Sequence, residues 1–184
     1  MSTFLPPGYK PPDKSGKYMK FQQGETRFRV LSDAPLIGNV GWKDKKPIRR
    51  PVGASWQIGE VDERNGVPRI SHFWAVAVWD YSTSRVRVLE FTQSTVQTPI
   101  SELSKKPKWG HPSKYDIVVT RTGTTMEDTE YVVTPEPPEP PDPIIVEAWD
   151  KLKDRFDLSR LFSNGDPFGD EVAVAPPDDS DGPF

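Results

Sequence analysis

The sequence predicts a mainly β domain extended by one C-terminal helix and an acidic tail. Three observations carry that expectation. Short runs alternating polar and apolar residues recur between clusters of turn-forming residues, the period-2 pattern of half-buried strands. Prolines at 135, 137, 138, 140, 141 and 143 end that pattern abruptly. Charge is also split: residues 1–134 hold 20 Lys and Arg against 14 Asp and Glu, and residues 135–184 hold 4 against 13, so a body of +6 carries a C-terminal part of −9.

Residues 1–16 set Pro6, Pro7, Pro11 and Pro12 among Lys10 and Lys14 with little to bury, and are expected to form a flexible arm. Thr26 to Leu31 alternates as a strand. Val40 to Trp42 continues it after turn signals at Asp33-Ala34-Pro35 and Gly38-Asn39. Residues 43–70 read as a long polar loop with a tight turn at Asn65-Gly66; loops of this length in compact domains are functional or disordered. His72 to Trp79 is apolar on both faces, as in a central strand whose outer face is covered or holds a ligand. Arg85 to Phe91 is its hairpin partner across Tyr81 to Ser84. Val96, Ile100 and Leu103 predict a short helix starting at Pro99, where proline suits a first turn. Tyr115–Thr122 and Thr129–Thr134, joined by Gly123 to Asp128, complete the series.

Strand, strand, strand, helix, strand, strand is the order of an OB-fold, a five-stranded Greek-key barrel with one short helix between strands 3 and 4 that commonly binds oligonucleotides. The expected domain covers 17–135, with residues 43–70 enlarging the connection between its first two strands. Residues 136–143 are expected to form a stiff Pro-rich spacer. Residues 144–163 follow as an amphipathic helix with Ile145, Ala148, Trp149, Leu152 and Phe156 on one face. That face either docks on the barrel, the preferred reading, or meets a partner or a second copy. Residues 164–184 hold six acids and no Lys or Arg, and are expected to be a disordered tail.

The chain has no cysteine, which excludes disulfides, thiolate zinc sites and cysteine nucleophiles. His72 and His111 are too few for a structural zinc site. No apolar stretch reaches the length of a membrane span and the N-terminus does not resemble a signal peptide, so a soluble cytoplasmic protein is expected. There is no Gly-rich phosphate loop, and Asp116 and Glu90 lie on strands without evident partners. A non-enzyme with no metal and no cofactor is expected.

Nonspecific single-strand binding needs cations along the phosphates and flat rings on which bases stack. Arg27 and Arg29 alternate with Phe28 and Val30, and Arg85 and Arg87 with Val86 and Val88. Both pairs are expected to leave the barrel as a basic outer surface. With Lys43, Lys45, Lys46, Arg49 and Arg50 of the long loop they are the candidate phosphate contacts. Trp42, Trp56, Trp74 and Tyr81 are the candidate stacking rings. Phe28, Phe73 and Phe91 are expected in the core, and of Trp74 and Trp79, on opposite faces of one strand, one is expected buried and one exposed. In the tail, Asp178, Asp179 and Asp181 with Pro183 and Phe184 would offer a partner an apolar ring, a carboxylate and steering charge. Those acids could also compete with a strand for the basic surface.

Two resemblances extend this reading. Asp178-Asp179-Ser180-Asp181-Gly182-Pro183-Phe184 resembles the acidic Pro-Phe tail through which bacterial single-stranded DNA-binding proteins recruit replication and repair enzymes. Within 17–135, Lys17-Tyr18-Met19-Lys20-Phe21, Gly24 to Leu31, His72-Phe73-Trp74-Ala75, Val88 to Gln93, Lys108-Trp109-Gly110, Tyr115-Asp116-Ile117 and Thr129 to Pro135 resemble a family of bacteriophage single-stranded DNA-binding proteins. The resemblance implies an OB-type domain serving phage DNA replication or recombination. Expected partners are thus single-stranded DNA and, through the tail, replication or recombination proteins, with self-association open. The rival readings are an OB-like protein-interaction adaptor and, more distantly, a small metal-dependent nuclease.

Overall fold

The computed structural model describes residues 16–169. Its centre is an eight-stranded mixed sheet. The strands are β1 (Tyr18–Met19), β2 (Gly24–Val30), β3 (Leu36–Lys43), β4 (Lys46–Pro51), β7 (Ser71–Asp80), β8 (Arg85–Phe91), β9 (Ile117–Thr122) and β10 (Glu130–Pro135). A small separate hairpin pairs β5 (Glu63–Arg64) with β6 (Val67–Pro68). Helix α1 (Ser94–Lys105) lies between β8 and β9 in the chain, and α2 (Pro143–Leu152) follows β10.

Across the sheet the order is β1-β8-β7-β2-β9-β10. Long β7 is shared on one side, its end pairing with β2 through Phe28↔Asp80 and its start with β3 through Leu36↔Ala75. Only β1 runs parallel to its neighbour. The mainly β class is as expected, but among the described residues no ladder joins β10 to β1 or β8, so the sheet is not a closed barrel. Side chains span that seam instead: the Phe21 ring lies 5.8 Å from Tyr131 and 5.8 Å from Phe91.

The reading of 43–70 as one loop is corrected. β4 pairs with β3 along Gly38↔Pro51 to Lys43↔Lys46. Asp44 and Lys45, at φ 50° and 64°, make a two-residue turn of the kind that matches strand twist. No glycine marks this turn. The turn at Asn65-Gly66 forms as expected, at φ 54° and 75°. Helix α1 begins at Ser94 and not at Pro99, which lies inside it while Val96, Ile100 and Leu103 are buried. The missing Pro99 N–H costs the helix one backbone bond, a cost that burial of the apolar face offsets.

The sheet has two cores. One lies inside the curve, where Phe28, Val30, Val76, Val78, Leu89 and Phe91 meet α1. The other lies on the outer face, where Val40, Phe73, Ala75 and Val88 meet Leu152, Leu161 and Phe168. Residues 136–169 are therefore not a spacer, a lone helix and a tail. Residues 136–139 are bonded to the body through Glu136 N–H to the Asp116 carbonyl and Glu139 N–H to the Lys114 carbonyl. The helix ends at Leu152 and gives way to a 3-10 turn at Leu158–Ser163, and packed structure runs on to Phe168, past the expected boundary at 164. The amphipathic face docks on the sheet.

Candidate functional site

A groove of about 610 Å³ opens where the outer-face cover ends, between the β3–β4 hairpin, β1 and the seam beside β10. Its walls are built by strand ends. In β3, Gly41 gives way to Trp42, a residue 48% exposed beside the hairpin turn. β1 is too short to bury both its residues: Met19 enters the core and Tyr18 stays 41% exposed. Arg121 shares its face of β9 with core Val119, two residues on, where the apolar interior runs out. Its register partner Tyr131 lies half-buried against the same core.

Cations line the same groove. Lys20 is exposed at its edge. The Arg121 Nε is buried with no hydrogen-bond partner, and neither Lys20 nor Arg121 has an ion-pair partner among the described residues. Arg49 reaches from β4 to Glu90 on β8, with Nε 2.6 Å from Oε2 and a second nitrogen 3.4 Å from Oε1. Burial pushes the Tyr18 hydroxyl pKa up, while nearby Arg49 acts against that shift and Asp166 and Glu90 act with it.

Of the sequence-predicted site residues, Trp42 and Arg49 line this groove, and Lys43, Lys45 and Lys46 are exposed at the hairpin turn next to Trp42. The others lie elsewhere. Arg50 is paired with Glu60 at 2.8 and 3.0 Å and covers the Trp56 ring at 4.4 Å, so this cation and ring satisfy each other. Trp74 packs on Phe91 at 5.9 Å at the edge of the inner core, and Trp79 is buried, so neither tryptophan is fully exposed. Arg85 is exposed at the start of β8, beside the β7–β8 turn. Tyr18, Lys20, Arg121 and Tyr131 were missed. Their signal was weak: a core-type alternation ending in Arg121, and a polar-tipped ring on each side of a seam.

The arginine pairs expected on the outer surface need correction. Arg29 does leave the inner face, but that outer face is covered. Its side chain is 1% exposed, donating Nε–H to Asp116 at 2.6 Å and another N–H to the Glu139 carbonyl at 2.8 Å. Arg87 lies opposite Val78 in register and so on the inner face, buried and bonded to Asp80 at 2.7 Å. Arg27 shares Asp116 with Arg29, and Tyr81 donates its hydroxyl to the same carboxylate at 2.7 Å while Arg27 sits 5.1 Å over its ring. Asp116 and Glu90 thus both have partners. Burial pushes the Asp116 pKa up, but hydrogen bonds from Arg29, Tyr81 and Arg27 outweigh it and hold the carboxyl below its ordinary value. Burial, then the bond to Asp116, pushes Tyr81 up to about 12.

Among the described residues no three His, Cys, Asp or Glu side chains come together as a metal-ligand set, and no helix is long and apolar enough to cross a membrane. Asp178, Asp179, Asp181, Pro183 and Phe184 lie outside the described residues. Compared with protein-family models, curated proteins and solved structures, the chain matches none.

Proposed function

We propose that this chain is a non-enzymatic single-stranded DNA-binding protein and that a strand lies in the groove beside the β3–β4 hairpin. One observation carries the reading: exposed Trp42 and Tyr18 stand in the same groove as Lys20 and Arg121, two cations with no ion-pair partner among the described residues. Rings beside free cations are what a sequence-tolerant single-strand site requires, since every base has a face to stack and every phosphate a charge to meet. Strand order supports the OB-type reading. After β2, β7 and β8, the chain crosses through α1 and β9 returns beside β2, the Greek-key succession. Oligonucleotide-binding barrels of this type are partly open and use the loop between their first two strands, here occupied by the β3–β4 hairpin. The protein would coat exposed strands during phage replication or recombination, as the sequence resemblance implies, and present the acids at 178, 179 and 181 to partner enzymes.

The test is a titration of labelled oligothymidylate, followed by anisotropy and tryptophan quenching, with duplex as control. Trp42→Ala is expected to weaken binding by about 1–3 kcal/mol, the contribution of one stacked base. Lys20→Ala and Arg121→Ala should each flatten the salt dependence by about 0.7 in log–log slope. An absence of binding at low salt, or equal affinity in all four proteins, would overturn the reading.

A further inference from the structure

Resting on that reading, we propose that Glu90 is a built-in competitor for the strand, holding Arg49 until a phosphate replaces it. The ion pair crosses from β4 to β8 inside the groove that also holds Lys20 and Arg121. Both side chains are largely withdrawn from solvent, at 12% for Arg49 and 17% for Glu90. Glu90 is the one carboxylate among the described groove-lining residues. In a groove for a polyanion, that charge opposes binding. Its benefit lies in the empty protein, because an arginine this deeply placed is destabilising when left without a counter-charge. A phosphate presents two oxygens to a guanidinium in the same fork geometry as a carboxylate. Arg49 can therefore pass from Glu90 to the strand without losing its paired hydrogen bonds, while Glu90 keeps the empty groove closer to neutral and lowers affinity for stray anions.

Glu90→Gln removes the charge and keeps the shape and one acceptor. At low salt this variant is expected to bind oligothymidylate about three- to tenfold more tightly and to steepen the salt slope, because in the natural protein the carboxylate freed from Arg49 takes up a cation and offsets part of the counterion release at that phosphate. In the Arg49→Gln background the same change should have no such effect on slope. A second measurement uses the unaltered protein: the Arg49 Nε–H resonance should shift on saturation with the strand as its acceptor changes. Unchanged or weakened binding by E90Q with an unchanged slope, or an Arg49 signal indifferent to saturating strand, would overturn the role of Glu90. Failure of the unaltered protein to bind any strand would instead overturn the functional reading beneath it.

Discussion

Asp116 joins three side chains from separate parts of the chain at one buried carboxylate. It is buried just before β9, accepts from Arg27, Arg29 and Tyr81, and through Arg29 ties β2 to the Glu139 carbonyl of the C-terminal segment. Asp116→Asn keeps the shape and removes the charge, leaving the Arg29 guanidinium buried without a counter-ion. The expected loss is about 3–5 kcal/mol, read from chemical denaturation. The effect has a pH window. Because the folded Asp116 titrates below its ordinary value, its stabilisation is complete above about pH 4 and fades as pH falls through the lower folded value. The gap in Tm between the natural protein and D116N should therefore narrow in acid. Tyr81 works at the opposite end: raised to about 12, it favours the protonated phenol, so its contribution is lost as pH climbs from about 10 towards that value. Tyr81→Phe should lessen the alkaline fall in Tm without abolishing it, since burial raises Tyr18 and Tyr115 as well. None of this was legible in the sequence, where Arg29 and Asp116 stand 87 residues apart. Alternation placed Arg29 on the correct face but could not reveal that the face is covered.

At the scale of elements, alternation located β2, β8, β9 and β10, and a run apolar on both faces located β7. It failed for β4. There Lys46, Arg49 and Arg50 look like loop residues, yet their charges are absorbed by partners or exposed at the turn, and the backbone is free to pair with β3. Alternation also misassigned Arg87, because Val86 and Val88 face the outer core and a sheet with two buried faces gives no label for inside. The hairpin that shapes the groove depends on close approach. A Cβ on Gly41 would stand 2.6 Å from a Val61 methyl and 3.0 Å from Ile70, and one on Gly38 would stand 2.7 Å from the Arg50 carbonyl and 2.9 Å from Phe73. Gly41→Ala should therefore destabilise by about 1–3 kcal/mol, the usual cost of overpacking. It should also weaken strand binding, because the adjoining Trp42 must move with the strand. A variant that loses stability yet binds with unchanged affinity would separate the hairpin's packing from the groove's function.

For the whole molecule, the expected division into a domain of 17–135 with appendages is the reading most altered. The prolines after 135 suggested a spacer because proline stiffens an extended chain, but stiffness does not say whether that chain stands clear or lies on a surface. Here it lies on the body and leads into Ile145, Leu152, Leu161 and Phe168, all buried. Burying four large apolar side chains contributes roughly 1.5–3 kcal/mol each, together about 6–12 kcal/mol. That matches the whole net stability of a typical domain, about 5–15 kcal/mol. A chain ending at residue 135 also strips the cover from Phe73, Ala75 and Val88 and removes the carbonyl that Arg29 donates to. It is expected to show no cooperative unfolding transition by circular dichroism and to bind an apolar dye. A chain ending at residue 169 retains Phe168 and the contact of Lys17 with Asp166, and should unfold at the Tm of the full protein. That second truncation is also the clean way to ask what the acids at 178, 179 and 181 do. With the fold preserved, tighter strand binding at low salt in the 1–169 chain would mean that the five acids after residue 169, these three among them, compete for the groove, and unchanged binding would reserve them for a partner.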